Sequence, residues 1–380
     1  MSDRIPQGRI PELDGLRGIA ILLVFLLHYI SDSAGGEFGS FLYRFRSVFR
    51  MGWSGVDLFF VLSGFLIGGI LMGVRDSPNY FRTFYLRRVH RIFPIYYVWV
   101  SLYPLASFLF LRSFSSPIHV DATLIHRLPL YYFFAQTFVV LPQGTLGWYW
   151  LAVSWSVAVE EQFYIIAAPV VRFLTPRRLV IALIATIVVC PFLRWLVYAL
   201  WPHREELFYI LMPCRADSLA IGMLTAVLWR NPGTLLWIER YRTWLYSLLA
   251  LMVMGFLVFV KWFPSPYTLF AALAEYQWLA VMYACLLLIV LVDSPGAIAG
   301  VTRWSFLREL GRLSYCIYLI HLPILAVCHA LLLHSSRVRI DSIPGVGTTI
   351  LAALLTLGVA KLSWVFLEEP LLRRGHAYKY

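Results

Sequence analysis

Arg17 and His28 lie eleven residues apart on one apolar run that begins at Pro11 and ends at Tyr29. At 3.6 residues per turn, that spacing returns to within about 20° of the same helix face, roughly 16 Å further along the axis. An ionisable side chain inside an apolar span is costly and by default marks a functional site. A positive charge near one membrane face and an imidazole deeper in the span suggest a path for a charged, elongated ligand. The imidazole, with an ordinary pKa near neutrality, suits removal of a proton from a hydroxyl as general base.

Other polar residues interrupt later apolar runs. Asp57 opens the run 53–67, which also carries Ser63. If the first two runs touch, Asp57 can orient His28 and stabilise its imidazolium; the alternative is that it caps a helix start. Arg88 and Arg91 are three apart and share a helix face, forming a fork suited to phosphates. Topology alone also places basic residues at an inner membrane end. Glu160 and Glu161 sit within the fourth run and must face a cavity, pair with a cation or be protonated. Adjacent residues point about 100° apart, which implies different jobs. Arg215 and Asp217 in the sixth run also need partners, and a structural ion-pair network is the competing account of all four charges. His321, two residues before Pro323, reads as a hydrogen-bonded packing residue.

The elements that position these groups are membrane helices. Sixty percent of the 380 residues are hydrophobic and 14% are charged, against about a quarter charged in a soluble domain. Ten runs are long enough to cross a bilayer, which takes about 20 residues: 10–30, 53–73, 92–111, 148–171, 179–200, 207–229, 243–262, 268–292, 313–334 and 348–368. The stretch 129–141 is too short and reads as interfacial or re-entrant. The expected fold is an all-α polytopic membrane protein, a single domain over 1–380 with no fused soluble domain. With both termini in the cytoplasm, twenty Lys and Arg fall in inside segments and eight outside, including Arg4, Arg9 and Arg44 among them. That bias supports an N-in, C-in arrangement, and it accounts for most of the net charge of +12 without nucleic acid. The first run is too long for a cleavable signal peptide. The five cysteines all fall in spans, show no metal spacing and read as small buried residues.

Taken in order, PELDGLRGIAILLVFLLH (11–28), GVDLFFVLSGFLI (55–67), RRVHRIFPIYY (87–97), SWSVAVEEQFY (154–164), CRADSLAIG (214–222), LGRLSYCIYLIHLPI (310–324) and EEP (368–370) resemble the acyltransferase 3 family of membrane acyltransferases. The resemblance covers nearly the whole chain. It implies transfer of an acyl group, commonly acetyl, from cytoplasmic acyl-CoA to a hydroxyl on a carbohydrate or similar acceptor, in a bacterial cytoplasmic (inner) membrane. It matches Arg17 and His28 to the family's arginine–histidine motif, Arg88 and Arg91 to its Arg-x-x-Arg motif, and Glu160 to its membrane glutamate. Acyl-CoA is then the donor co-substrate, with no metal. On this reading His28 is the base, Asp57 or Glu160 sets its tautomer, and Arg17, Arg88 and Arg91 hold the donor. Transfer through an acyl-histidine remains the alternative to direct attack. The competing class is a secondary transporter or proton-coupled exporter of an anionic solute, in which the same buried His, Glu, Asp and Arg relay protons. Acceptor identity, acyl length and oligomeric state are not readable from the residues.

Overall fold

The computed structural model describes residues 10–33, 46, 48–112, 118–139, 145–204, 206–262 and 265–380. Arg4, Arg9 and Arg44 of the charge count, and residues 140 and 141 of the expected interfacial stretch, lie outside them. Among the described residues the chain is helical throughout, with no strand and one isolated bridge between His119 and Thr145. The main helices are α1 (Pro11–Leu26), α2 (Gly55–Gly73), α3 (Tyr80–Arg112), α4 (Leu128–Tyr132), α5 (Leu146–Leu151), α6 (Ser154–Phe173), α7 (Pro176–Leu200), α8 (Met212–Arg230), α9 (Arg242–Trp262), α10 (Tyr276–Val292), α11 (Ser305–Leu333), α12 (Ile343–Ser363) and α13 (Glu369–His376).

Nine helical segments among the described residues are long and apolar enough to cross a membrane. The chain is a polytopic all-α membrane protein. Large apolar side chains such as Val188, Phe192, Leu251, Leu354 and Phe366 stand exposed, as residues facing lipid do. The expected span 148–171 departs from the pattern. It breaks at Ala152 and Val153 into α5 and α6. At 20 residues α6 is about 30 Å long, but Glu160, Glu161 and Gln162 in succession dilute its apolar character. The 129–141 stretch does not cross: it holds α4 and a 3-10 turn, Gln136–Phe138.

Three helices run directly into a π-helical turn: Leu27–Ser31 after α1, Ala271–Glu275 before α10, and Trp364–Glu368 after α12. Such turns are rare and concentrate at functional positions. Here they carry His28, Glu275 and Glu368.

The chain divides into two compact units. The first comprises Met1–Leu22, Ser54–Ser77 and Val159–Arg312. Its centre is the contact of α2 with α8. A Cβ on Gly64 would sit 2.0 Å from the Leu219 carbonyl oxygen, and one on Gly222 would sit 2.1 Å from that of Val61. Only glycine permits this backbone contact, which substitutes for the hydrophobic drive that lipid removes. Gly68 abuts the Met223 side chain, whereas Gly69 has nothing within 4 Å.

The second unit comprises Leu23–Trp53, Pro78–Ala158 and Leu313–Tyr380. In it, the Trp150 indole donates to the Trp99 carbonyl (3.0 Å) and Tyr96 donates to the Tyr131 carbonyl (3.0 Å), fixing α5 and α4 against α3. The start of α3 is tied to the C-terminal residues: Arg87 donates to the Tyr378 carbonyl (2.6 and 3.1 Å) and Thr83 to that of Lys379 (2.9 Å). Tyr315 on α11 donates to the Ile92 carbonyl at 3.1 Å, which sets α11 level with Arg91. Tyr29, Leu325, Cys328 and Ala352 form a buried cluster, with Phe25 and Val338 packed on it.

Candidate active site

His28 lies in the π turn that ends the first span. The turn is closed by the Asp32 amide donating to the Leu27 carbonyl at 2.9 Å, and the Ser33 hydroxyl donates to the carbonyl of His28 at 2.6 Å. The neighbour of the ring is not a carboxylate but His321, on the second-unit portion of α11. His28 Nδ1 is 3.1 Å from His321 Nε2, with ring centroids 5.0 Å apart. His321 is wholly buried. Tyr29 holds this level of α11 by donating to the His321 carbonyl (2.9 Å) and sharing a 2.9 Å bond with Thr356.

The hydrogen-bond network assigns both tautomers. His321 Nδ1 lies 2.8 Å from the Tyr318 carbonyl and 3.1 Å from that of Ile317. Carbonyls only accept, so this nitrogen carries the proton and Nε2 presents a lone pair. His28 Nδ1 faces that lone pair and the Val24 carbonyl at 2.9 Å. Two acceptors require it to carry its proton as well. A neutral imidazole has one N–H, so His28 Nε2 is the basic nitrogen. It has no hydrogen-bond partner among the described residues.

His28 lines a cavity of about 420 Å³ within the second unit, together with Asp32, Trp148, Tyr149, Leu325, Arg337, Arg339 and Asp341. That volume falls within the roughly 300–1,000 Å³ of small-molecule sites. Trp148 and Tyr149 are set by α5, which starts where the Thr145 hydroxyl accepts from the Trp148 amide at 3.2 Å. Burial raises the Tyr149 hydroxyl above its ordinary pKa, so it stays a neutral donor. Asp32 supplies a carboxylate one turn after His28 and is the charge placed to stabilise an imidazolium there.

The other residues singled out in the sequence fall into separate groups. Arg88 and Arg91 are half-buried near the start of α3. Arg88 lies over the Phe84 ring at 5.8 Å, and Arg91 is close enough to Glu368 for their charges to interact. Arg17 belongs to the first unit, 3.6 Å from Asp14 one turn earlier. Ser63 shares a 2.5 Å bond with the Tyr164 hydroxyl. Glu160 is half-buried and Glu161 buried, as two adjacent helix positions facing different surroundings should be.

Asp57, expected beside His28, is engaged elsewhere. Its Oδ1 accepts from Arg215 Nη2 (2.7 Å) and the Ser218 hydroxyl (3.2 Å), in the first unit. Asp217 accepts from Arg194 Nη1 at 2.7 Å. Arg194 also donates to the carbonyls of Cys214 (2.6 Å) and of Ala272, within a π turn. Arg215 lies over the Tyr276 ring at 4.1 Å. Asp57, Arg194, Arg215 and Asp217 have no solvent exposure. Arg215 and Asp217 are thus held in ion pairs, with Asp57 and Arg194 as the partners where the sequence reading offered Glu160 and Glu161.

Sequence reasoning passed over Asp32, Trp148, Tyr149, Arg194 and Arg337. Asp32 had a signal, the i, i+4 spacing from His28. Arg337, Arg339 and Asp341 had the alternation of a short extended strap.

Comparison with known proteins matches residues 10–367 to the acyltransferase domain family. Bacillus subtilis YrhL, provisionally named a peptidoglycan O-acetyltransferase, is 29% identical over 378 residues, 96% of this chain and 55% of the relative. The O-acetyltransferase OatA of Staphylococcus aureus is 25% identical over 96% of this chain and 58% of its own length. The peptidoglycan O-acetyltransferase OatA of Listeria monocytogenes is 25% identical over 98% and 57%. The chain thus spans a little over half the length of these relatives. No solved structure matches. The family match runs through both units and takes in every segment quoted from the sequence except the terminal EEP (368–370), and the chain belongs to the acyltransferase 3 family.

Proposed function

We propose that this chain is a multi-pass O-acyltransferase of a bacterial cytoplasmic membrane. It moves an acyl group, acetyl in the first instance, from cytoplasmic acyl-CoA to a hydroxyl of a cell-wall carbohydrate. The observation that carries the chemistry is the tautomer-locked pair, which leaves a basic nitrogen on His28 beside a cavity with room for a sugar. The names of the relatives support an O-acetyl transfer and a peptidoglycan acceptor.

In this reading, His28 Nε2 takes the acceptor's hydroxyl proton as the oxygen attacks the thioester carbonyl. The tetrahedral intermediate collapses and expels the CoA thiolate. The thiolate takes the proton back from the imidazolium, giving ester and free CoA thiol. His321 is a positioning residue that holds the His28 tautomer. Asp32 stabilises the imidazolium. Arg88 and Arg91 hold CoA phosphates through charge-assisted bonds. Asp57, Arg215 and Asp217 hold the first unit together.

The test is acyl transfer by the purified, reconstituted chain, given acetyl-CoA and peptidoglycan fragments. Mass spectrometry of the glycan and thiol release should report ester and CoA in equal amounts. Intact acetyl-CoA alongside solute movement across the vesicle would instead mark a transporter.

A further inference from the structure

The strap between α11 and α12 is held on one side and presented on the other. His334 ends α11 in the left-handed region (φ 47°). Beyond it, Val338 packs on the Tyr29 and Leu325 cluster. The Ile340 amide donates to the Ser33 carbonyl at 3.0 Å. The alternate residues Arg337, Arg339 and Asp341 are exposed and line the cavity beside His28. Arg339 is answered by Asp341 at 3.9 Å. Arg337 has no carboxylate partner among the described residues. The anchored strap thus places on the wall of a cavity, beside Trp148 and with Asp32 and Asp341 also lining it, a guanidinium that has no ion-pair partner among the described residues.

This arginine is not at the level of Arg88 and Arg91. Tyr315 marks the level of Arg91 on α11. His321 follows six residues later, about 9 Å along the axis, and the strap begins beyond Leu333. Within the second unit His28 therefore has basic groups on both sides along α11, and the reaction has two substrates. In the proposed function Arg88 and Arg91 hold the donor, which leaves the strap for the acceptor.

We infer that the cavity over His28 is the acceptor site and that it selects a sugar bearing an anionic group, carboxylate or phosphate, held by Arg337 while Trp148 covers the apolar face of the ring. The inference rests on the acyltransferase reading and adds the acceptor's charge class. A guanidinium fork matches either anion, whereas a neutral glycan would leave it unanswered.

The experiment measures binding and transfer separately. Binding is read by calorimetry on the reconstituted full chain with two matched pairs of ligands. One pair is N-acetylglucosaminyl-N-acetylmuramic acid, with its free lactyl carboxylate, against N,N′-diacetylchitobiose. The other is N-acetylglucosamine 1-phosphate against N-acetylglucosamine. Transfer is read with acetyl-CoA on the disaccharide pair. The wild-type chain should prefer at least one anionic member by roughly tenfold or more, and the pair that shows the preference identifies the anion. Arg337→Gln should abolish the preference by weakening the anionic ligand, with the KM for acetyl-CoA unchanged. Arg337→Glu should turn it toward the neutral ligand. Equal binding of both members in both pairs overturns the inference, as does an Arg337→Gln effect on acetyl-CoA alone. Anionic preference without any ester formed would leave the acceptor pocket standing and remove the acyltransferase reading. Ester formed without preference would do the reverse.

Discussion

Both units bury ionisable groups in membrane helices, and they do so to opposite effect. In the first unit, Asp57 meets Arg215 and Asp217 meets Arg194, all four without exposure, and Arg215 is further covered by the Tyr276 ring. In the second unit, the buried His321 meets His28, and His28 keeps one nitrogen beside a cavity with no partner among the described residues. The first arrangement spends its charges on one another across α2, α7 and α8. The second uses a buried neutral ring to fix the state of a ring that reaches reactants. A charge in a span signals function only when something is left over after its partners are counted.

The largest test of this contrast is His28→Ala. Loss of a general base should lower acyl transfer by about 10²- to 10⁴-fold, with abundance and thermal stability unchanged; a stable, fully active variant would erase the difference between the units. Asp57→Asn and Arg215→Leu should do the opposite. Each leaves a buried partner uncompensated, at a cost of about 3–5 kcal/mol, read as lost abundance and a lower unfolding temperature in detergent. Replacing both members by apolar residues of similar volume should recover much of that loss. If activity falls while stability holds, the first unit's cluster is chemical after all. His321→Gln lies between. It should lower kcat by roughly 10- to 10³-fold, less than His28→Ala, with KM for acetyl-CoA unchanged. Arg88→Ala and Arg91→Ala should each raise the KM for acetyl-CoA by roughly 10- to 100-fold, the value of a charge-assisted bond, and the effect should shrink at high salt. The smallest expected effect is at the exposed Arg373–Glu369 pair, 2.8 Å apart. Its removal should change stability by no more than about 0.5 kcal/mol.

Most of the fold was legible in the residues because lipid imposes length and hydropathy on every span. The exception is 148–171, where a turn at Ala152 and Val153 shortens the run and Glu160, Glu161 and Gln162 then dilute the helix that remains. The site was legible in its parts and not in its pairings. His28, Arg88 and Arg91 announce themselves by type and spacing. The partner of His28 does not, since His321 lies 293 residues away and a histidine before a proline reads as packing. Asp57 was assigned to the wrong neighbour for the same reason: two polar residues near the same membrane end give no indication of which helices touch. The three π turns were unreadable, because their residues are ordinary helix formers.

The wide turn at Leu27–Ser31 makes the chemistry sensitive to chain length. It accommodates one residue more than an ordinary helix would over the same rise. Deleting a single residue there would let α1 run on regularly and swing the imidazole about a quarter turn round the helix, away from its partner ring. The protein would keep its histidine, its helix and its place in the bilayer, and lose the geometry that makes the histidine a base.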